Sequence, residues 1–344
     1  MLLLLWVTNS KFIFSFYIIY FCWLFLLLRS IKFSTPQAIL DMPNVTVVFD
    51  CTVEKIIHDG SKAVALQTNQ NITLPLKNSK LILAMSTLPA TTLVLNSFPQ
   101  LANIGKRLSA HFVSSIIARV PRTSLSITEN DPDIQLGAVY ITGMQNKAQF
   151  HLQLSAIDSR QCENKQIIND ICKKYSANSI PSECIDKSQD FVVISCSTLG
   201  ELDYKNNQNH FELSNSSQCL TTNGQLSFCL NEQDKQLWDV MDQATFQVLE
   251  KLSNQIQYWH ENEKTWTTER PLPNQIRKKS LVHDSSTMWI GDRNDTESPV
   301  TYDYRLRGIE NVYVTGGALW PTGGSWNPVL TIVAMAMHLA DIIH

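Results

Sequence analysis

The sequence lacks several patterns that would assign it to a familiar class of binding protein. It has no Cys-x-x-Cys pair, so its eight cysteines show no metal-like spacing. It has no Lys/Arg-rich run, and a net charge of −3 gives no electrostatic case for nucleic acid. It also has no Gly-x-Gly-x-x-Gly turn, the pattern that holds a dinucleotide pyrophosphate. We therefore expect neither a metal site nor a nucleic-acid partner.

The N-terminus is set apart by its apolar character. Phe12–Leu28 is a hydrophobic run broken only by Ser15, at the short end for a membrane-spanning helix. Lys11 precedes it, Arg29 and Lys32 follow it, and no small-x-small cleavage site comes after it. A retained signal anchor therefore fits better than a cleaved signal peptide. The alternative is a gene-model artefact in which non-coding sequence was translated.

Cysteines and glycosylation sequons indicate an oxidising compartment. Six cysteines fall in one central region, Cys162–Cys229, which is typical of disulfides, although six cysteines allow 15 connectivities. Four Asn-x-Ser/Thr sequons begin at Asn44, Asn71, Asn215 and Asn294. Together these signals favour a membrane or secretory-pathway glycoprotein.

Turn and strand signals divide the rest of the chain. Antiparallel strands without intervening helices are expected in the middle of the chain, and helices and a parallel strand on either side. The expected strands are Val45–Phe49, Cys51–Ile57 and Ala63–Gln67 as a hairpin, Ile72–Leu76, the parallel Lys80–Ala84, Ser114–Val120, Leu136–Thr142, Ala148–Leu154 and Phe191–Cys196. The expected helices are Pro89–Asn96, Glu232–Ser253 and 329–343, and Asn254–Pro273 is expected to be irregular. No internal repeat or long low-complexity linker is visible, which favours two domains after the leader.

The last thirty residues carry the strongest local signals. Gly316-Gly317 and Gly323-Gly324 permit close approach of a ligand to bare backbone. Asn327-Pro328 is a helix-start signal with Asn327 as the expected N-cap. The following helix is almost wholly apolar and suited to full burial. Its N-terminus would offer free N–H groups to an electron-rich ligand; the alternative is a glycine loop before an ordinary core helix.

Several of these motifs resemble those of glucose-methanol-choline (GMC) flavoprotein oxidoreductases. The resemblance covers residues 36–120 and 230–344, and residues 121–229 match only in general pattern. The motifs are His283-Asp284-Ser285-Ser286-Thr287, Arg305-x-x-Gly308-Ile309-x-Asn311-Val312-Tyr313-Val314, Pro321-Thr322-Gly323-Gly324, Asn327-Pro328-x-Leu330-Thr331, and upstream Asn103-Ile104-Gly105-Lys106-Arg107-Leu108 with His111.

The resemblance implies roles for two residues in the oxidation of a CH–OH group of an alcohol or sugar. His283 matches the active-site histidine, and Asn327 matches a second catalytic position that is His or Asn in relatives. Of these two, only His283 can accept a proton, because an amide has no titratable nitrogen. Asn327 would hydrogen-bond the substrate oxygen.

FAD is the cofactor that the resemblance implies, and hydride would pass to flavin N5. The implied contacts are Gly316, Gly317 and Ala318 near the diphosphate-ribityl part, Asn327, Pro328 and Val329 near the flavin ring, and Val53 near adenine. Ala84 is a further implied cofactor contact. The electron acceptor that reoxidises the flavin is not indicated.

Three departures from the family pattern bear on activity. The glycine-rich first turn is absent, Ser86 stands where relatives have a glycine after the Ile82-Leu83-Ala84 strand, and Ser286 replaces the glycine of the histidine motif. The expected fold is α/β, or α+β overall: an incomplete FAD-binding Rossmann-like domain plus an antiparallel-sheet substrate domain. The expected ranges are a leader or anchor at 1–34, a partial FAD-binding domain at 35–120, a substrate domain with Cys-rich insertions at 121–278, and the remaining FAD-binding part at 279–344.

Two functions of different class follow. The first is an FAD-dependent oxidoreductase whose recorded sequence is a fragment. The second is a catalytically inactive family remnant that acts as a membrane-anchored or secreted binding protein.

Overall fold

The computed structural model describes residues 6–8, 11–12, 45–46, 48–125, 135–158, 180–186, 188, 190–215 and 217–343. The architecture is mixed α/β and is dominated by one large sheet. The strands are β1 Trp6–Thr8, β2 Lys11–Phe12, β3 Val53–His58, β4 Ala63–Thr68, β5 Thr73–Pro75, β6 Leu81–Leu83, β7 Ser109–Pro121, β8 Gln135–Gln145, β9 Ala148–Asp158, β10 Phe191–Glu201, β11 His210–Leu213, β12 Gly224–Ser227, β13 Gln257–His260, β14 Thr265–Thr267, β15 Val282–Ser285 and β16 Val312–Val314. The helices are α1 Thr87–Ser97, α2 Ser182–Asp186, α3 Glu232–Glu250, α4 Pro273–Ile276 and α5 Val329–Ile343.

The large sheet has the strand order β14-β13-β7-β10-β9-β8-β1-β2, with β15 also paired to β7. Its pairs are antiparallel except β1 with β8. The β8–β9 hairpin turns through Asn146 and Lys147, both with positive φ, as the preferred two-residue hairpin turn requires. This turn sets the register of the central strands. The antiparallel sheet expected for the middle of the chain is confirmed.

Helix α3 closes one face of the large sheet. It begins with a capping box, in which the Asn231 side chain accepts from the Asp234 N–H and the Asp234 carboxylate accepts from the Asn231 N–H. Its apolar side contributes Leu237, Met241 and Leu249 to a buried cluster with β7, β9 and β10. We call this cluster the large-sheet core.

A second buried cluster, the βα core, lies under the rest of the chain. It joins residues of β3, β6, α1, β16 and α5 with the segment between β15 and β16. Here β6 and β16 form a two-stranded parallel pair, and β3, β4 and β5 form an antiparallel sheet. The expected hairpin and the expected parallel strand at Leu81–Leu83 are confirmed.

Four expectations from the sequence need correction. The described residues of Val45–Phe49 form no strand, because they pair with no described strand. The segment 254–273 is not irregular: it contains β13 and β14, which pair with each other, and β13 also pairs with β7. Helix α3 ends at Glu250 instead of Ser253. Helix α5 is not fully buried; of its residues Leu339 is buried and most others are partly or largely exposed.

The expected disulfides do not form among the described cysteines. Cys51, Cys184, Cys196, Cys219 and Cys229 are all free. Cys184 and Cys196 are buried in two different apolar clusters. Cys22, Cys162 and Cys172 lie outside the described residues, as does the expected leader apart from β1 and β2. Among the described helices, none is both long enough and apolar enough to cross a bilayer.

Candidate active site

A bulge at the end of the large sheet positions His283. Strand β15 pairs with β7 at Val282–His111 and at Ser285–Ser109, with a shift of register between the two pairs. His283 lies in the bulge with φ of +59°, a left-handed conformation that is strained for this residue type. The bulge brings the two rings together: Nδ1 of His283 lies 3.0 Å from Nδ1 of His111. The ring planes meet edge to face at 86°.

His111 is completely buried and also contacts the glycine loop. Its Nε2 lies 3.2 Å from the carbonyl oxygen of Gly323. Burial, with a smaller effect of the nearby His283, lowers the pKa of His111 to about 4, against the opposing effect of the hydrogen bond to the Gly323 backbone. Burial also lowers the pKa of His283, against an opposing effect of Asp284. Both imidazoles are therefore expected to be neutral at neutral pH.

Hydrogen bonds hold the loop Pro321–Asn327 against the large sheet. The Gly324 N–H donates to Glu201 Oε1 at 3.0 Å, and Arg107 donates to the Pro321 carbonyl at 2.5 Å. A Cβ atom added at Gly323 would lie 2.6 Å from Ser109 Oγ, so only glycine fits there without a shift. These contacts place the Gly323 carbonyl over His111.

Three aromatic rings form a wall beside the histidine pair. Tyr140 and His151 lie on one face of the sheet, because Tyr140 pairs with Gln153 and Thr142 pairs with His151. The indole of Trp326 stacks on both, at 5.1 Å and 8° from His151 and at 5.9 Å and 26° from Tyr140. Trp326 keeps 36% of its surface exposed, so one side of the wall remains open.

His151 is buried without a normal hydrogen bond to any described residue through either ring nitrogen. Burial, together with smaller effects of His111 and His283, lowers its pKa to about 4, and the backbone of Ser325 opposes the shift. A buried imidazole without partners costs free energy in the folded state, and a charged one would cost far more, so His151 stays neutral. The third imidazole thus adds to an uncharged surrounding for His283.

Asn327 is exposed at the end of this wall. Its side chain hydrogen-bonds the Tyr140 hydroxyl, which lowers the Tyr140 pKa against the larger raising effect of burial. Helix α5 begins at Val329, and the Pro328 carbonyl accepts the first helical bond from the Ile332 N–H. Pro328 therefore occupies the cap position, and the expected N-cap at Asn327 is wrong by one residue. The amide is free of the helix and faces the site.

The glycines expected near a cofactor provide open backbone. Gly316 has φ of +94°, and an added Cβ would come no closer than 3.9 Å to another group, the Met85 carbonyl. The preceding Thr315 hydroxyl is buried with no partner among the described residues. Gly317 and Ala318 begin a buried 3-10 turn, where a Cβ on Gly317 would lie 2.9 Å from Thr87 Oγ1. An unpaired buried donor beside open backbone fits a polar ligand group.

A cavity of about 260 Å³ adjoins β6. It brings together Val53, expected near adenine, and Ala84, a further expected cofactor contact, with Leu83, Met85 and other apolar side chains. Its apolar lining suits the flat face of a heteroaromatic ring. The apolar cavity therefore fits a ring of a flavin dinucleotide, and the open backbone at Gly316 fits a polar part of the same molecule.

Two serines stand where the resemblance predicts glycine. Ser286 is fully buried and adopts φ of +68°, so the chain keeps a glycine-like backbone with a serine in it. Ser86 precedes α1 and makes no side-chain cap hydrogen bond. Ser286 is accommodated in this fold at the cost of backbone strain.

Sequence reasoning missed part of this site. His111 entered only through the family resemblance, and Tyr140, His151 and Trp326 were not singled out. The Asn146-Lys147 turn is a hairpin signal that would have set the register and placed Tyr140 beside His151. No local signal marks their contact with Trp326, which lies far along the chain.

Comparisons with known proteins agree with the C-terminal motifs. Residues 207–336 match the family model described as GMC oxidoreductase. An uncharacterized GMC-type oxidoreductase of Sinorhizobium fredii is 33% identical over 72 residues, which are 21% of this chain and 14% of the relative. The C-terminal portion of the chain is therefore similar in sequence to GMC oxidoreductases, and the match to that curated relative spans about one-seventh of its length.

The fold is also found in a solved structure. An FAD-dependent oxidoreductase from Chaetomium thermophilum, in complex with a small-molecule fragment, superposes with a TM-score of 0.54 at 14% identity. The superposition covers 88% of this chain and 62% of the other. The similarity is one of fold.

Proposed function

We propose that this chain carries the substrate-facing and flavin-facing part of an FAD-dependent oxidoreductase that oxidises a CH–OH group of an alcohol or sugar. The observation that carries the proposal is the 3.0 Å contact between Nδ1 of His283 and Nδ1 of His111. His283 is half-buried with a lowered pKa, and the loop that contacts His111 through Gly323 also carries the exposed Asn327 amide. A neutral imidazole in this setting is suited to remove a hydroxyl proton near neutral pH. Similarity to GMC oxidoreductases over residues 207–336 supports the reaction class.

The residues of the chain divide the work of alcohol oxidation. His283 accepts the hydroxyl proton, and Asn327 hydrogen-bonds the same oxygen as its negative charge develops. Tyr140 orients the Asn327 amide, and Trp326 excludes water from one side. A bound flavin supplies the acceptor for the hydride that leaves the carbon.

FAD is the proposed cofactor, bound by an incomplete Rossmann-like domain. Gly316–Ala318 would face the diphosphate-ribityl part, and Asn327–Val329 would face the flavin ring at the N-terminus of α5. Val53 and Ala84 would hold the adenine side in the cavity beside β6. Within the described residues no strand, Gly-rich turn and helix follow one another, so the proposal assigns no pyrophosphate contact of that kind to them.

The second candidate, an inactive binding protein, is favoured by a different observation. The outer side of α5 exposes apolar side chains, as a surface that binds another chain would. Retention of flavin separates the two candidates. If the full recorded chain is purified, the oxidoreductase should show flavin absorbance at roughly 450 nm. A folded but colourless protein contradicts flavin binding by this chain.

Catalysis is tested with the base removed. His283→Ala should slow alcohol-dependent flavin reduction by roughly 10²- to 10⁴-fold, the usual contribution of a general base. His210→Ala, far along the chain on the β11–β12 hairpin, is the matched control and should reduce flavin at the wild-type rate. Equal rates in His283→Ala and wild type would refute the role of His283.

A membrane or secretory location is proposed on the sequons. The asparagines of the three described sequons, Asn71, Asn215 and Asn294, are all exposed, as glycosylation requires. Protein expressed in a eukaryotic secretory host should lose mass on treatment with an N-glycosidase. An unchanged mass would contradict a glycoprotein. We also propose that the substrate is a small-molecule alcohol or sugar and that residues 1–34 anchor the chain in the membrane. The electron acceptor is left unassigned.

A further inference from the structure

The contacts of His111 determine which ring nitrogens of His111 and His283 carry hydrogen. The Nε2 atom of His111 faces the Gly323 carbonyl at 3.2 Å. A carbonyl oxygen can only accept, so Nε2 of His111 carries hydrogen and donates. Because the ring is completely buried, it is neutral and has hydrogen on one nitrogen only. Nδ1 of His111 therefore presents a lone pair.

The second ring follows from the first. Nδ1 of His283 lies 3.0 Å from that lone pair, so it must carry hydrogen and donate to His111. In a neutral imidazole the other nitrogen is then unprotonated. Nε2 of His283 consequently holds a lone pair directed away from His111, which is the form a base needs.

We propose that His111 is a positioning residue that selects the Nδ1–H tautomer of His283 and so makes Nε2 the proton-accepting atom. This inference rests on the proposed function for its consequence in catalysis, but the tautomer itself is a property of the chain. Had His283 carried its hydrogen on Nε2, it would meet a substrate hydroxyl as a donor and could not accept the proton.

The surroundings of His111 keep this arrangement in one register. Glu201 accepts a hydrogen bond from the Gly324 N–H, and Gly323 packs so closely against Ser109 that no Cβ fits there. Rotating the Gly323 carbonyl away from His111 would therefore cost these contacts. His151 lies close but forms no normal hydrogen bond with either ring, so it does not compete for the Nδ1 hydrogen. His111 itself cannot be the base, because both of its nitrogens are engaged and its ring is completely buried.

The tautomer can be read without flavin or substrate. The full chain, labelled with ¹⁵N in its eight histidines, is examined by long-range ¹H–¹⁵N correlation at pH 7.5. His283 should show a protonated Nδ1 and an unprotonated Nε2, and its signals are assigned by their loss in His283→Gln. Hydrogen on Nε2 of His283 in the wild-type chain would overturn the proposal.

Two substitutions of His111 test the cause. His111→Phe fills the space but cannot accept, so the His283 signals should change to the Nε2–H form or to a mixture. His111→Gln can accept from His283 and donate to Gly323, and it should restore the Nδ1–H form. His151→Phe is the matched control, since it removes a buried imidazole without removing the hydrogen bond, and should leave the tautomer unchanged. A His283 tautomer unaffected by His111→Phe in a folded protein would also overturn the proposal.

The effect of His111 on alcohol oxidation is measured separately from the tautomer. If the chain holds flavin, His111→Phe should lower kcat for alcohol oxidation at least tenfold, with partial rescue in His111→Gln. If the tautomer is as proposed but no flavin is retained, the proposed function fails while this inference stands.

Discussion

The two larger buried cores among the described residues differ in how completely they are covered. The large-sheet core has α3 across its face, with Leu237 and Met241 fully buried. The βα core is covered by α5, which contributes Leu339 from its inner side while Leu330 and Met337 on its outer side are 73% and 66% exposed. An apolar helix is thus packed on one side only. Apolar side chains make the burial of a helix favourable, but each apolar side is buried only where another helix or sheet packs against it.

The inner side of α5 is nevertheless anchored. The Tyr304 hydroxyl lies 3.0 Å from His338 Nδ1, and Lys80 donates to the Ile343 carbonyl near the helix end. Ile332 and Met335 pack against the βα core. The helix therefore holds its N-terminus beside Asn327 although its outer side is open.

The largest expected effect lies in the large-sheet core. Leu237 is 1% exposed, and Leu237→Ala should lower the free energy of unfolding by about 2–5 kcal/mol, because it removes buried methyl groups and leaves a cavity. Leu330→Ala makes the same chemical change on the open side of α5 and should cost about 0.5 kcal/mol or less. Urea unfolding measures both. Equal losses would remove the distinction between the two cores.

An intermediate effect is expected from acid, at the buried His151 of the candidate site. The folded-state pKa of His151 is about 4, below its ordinary value of 6.5, so its stabilising contribution is complete above pH 6.5 and is lost as the pH falls towards 4. His151→Phe should make this loss smaller, by up to about 3 kcal/mol at pH 4.

Unfolding midpoints in urea between pH 7 and pH 4 check this expectation. His210→Phe, on the β11–β12 hairpin, serves as the control and should follow the wild-type profile. A wild-type slope in His151→Phe would show that His151 is protonated equally easily in the folded and unfolded chain.

The smallest effect on stability is expected on the outer side of α5. The double substitution Leu330→Lys with Met337→Lys should change the free energy of unfolding by roughly 0.5 kcal/mol or less, but should reduce binding of a hydrophobic dye. Dye fluorescence and urea unfolding are measured on the same samples. A loss of several kcal/mol would mean that this side is covered in solution, and the contrast between the cores would then disappear.

The sequence predicted the elements whose signals are local. The β3–β4 hairpin has its turn residues, α3 has its acidic start and helical spacing, and β6 has its apolar run. It did not predict β13 and β14: β13 joins the large sheet by pairing with β7, more than a hundred residues earlier, and β14 pairs with β13. It also misjudged α5, because an apolar helix shows that burial is favourable and not which layer provides it.

The same division applies to the site. His283, Asn327 and the glycines were named from motifs close together in the chain, and their assigned roles remain predictions. The sequence by itself determined which residues carry nitrogen, hydroxyl and bare backbone near the C-terminus. Only the tertiary structure decided that His111, from a different strand, meets His283 through a bulge, because a left-handed residue and a register shift redirect that side chain. The choice of the proton-accepting nitrogen depends on that contact, which joins two residues 172 positions apart in the chain.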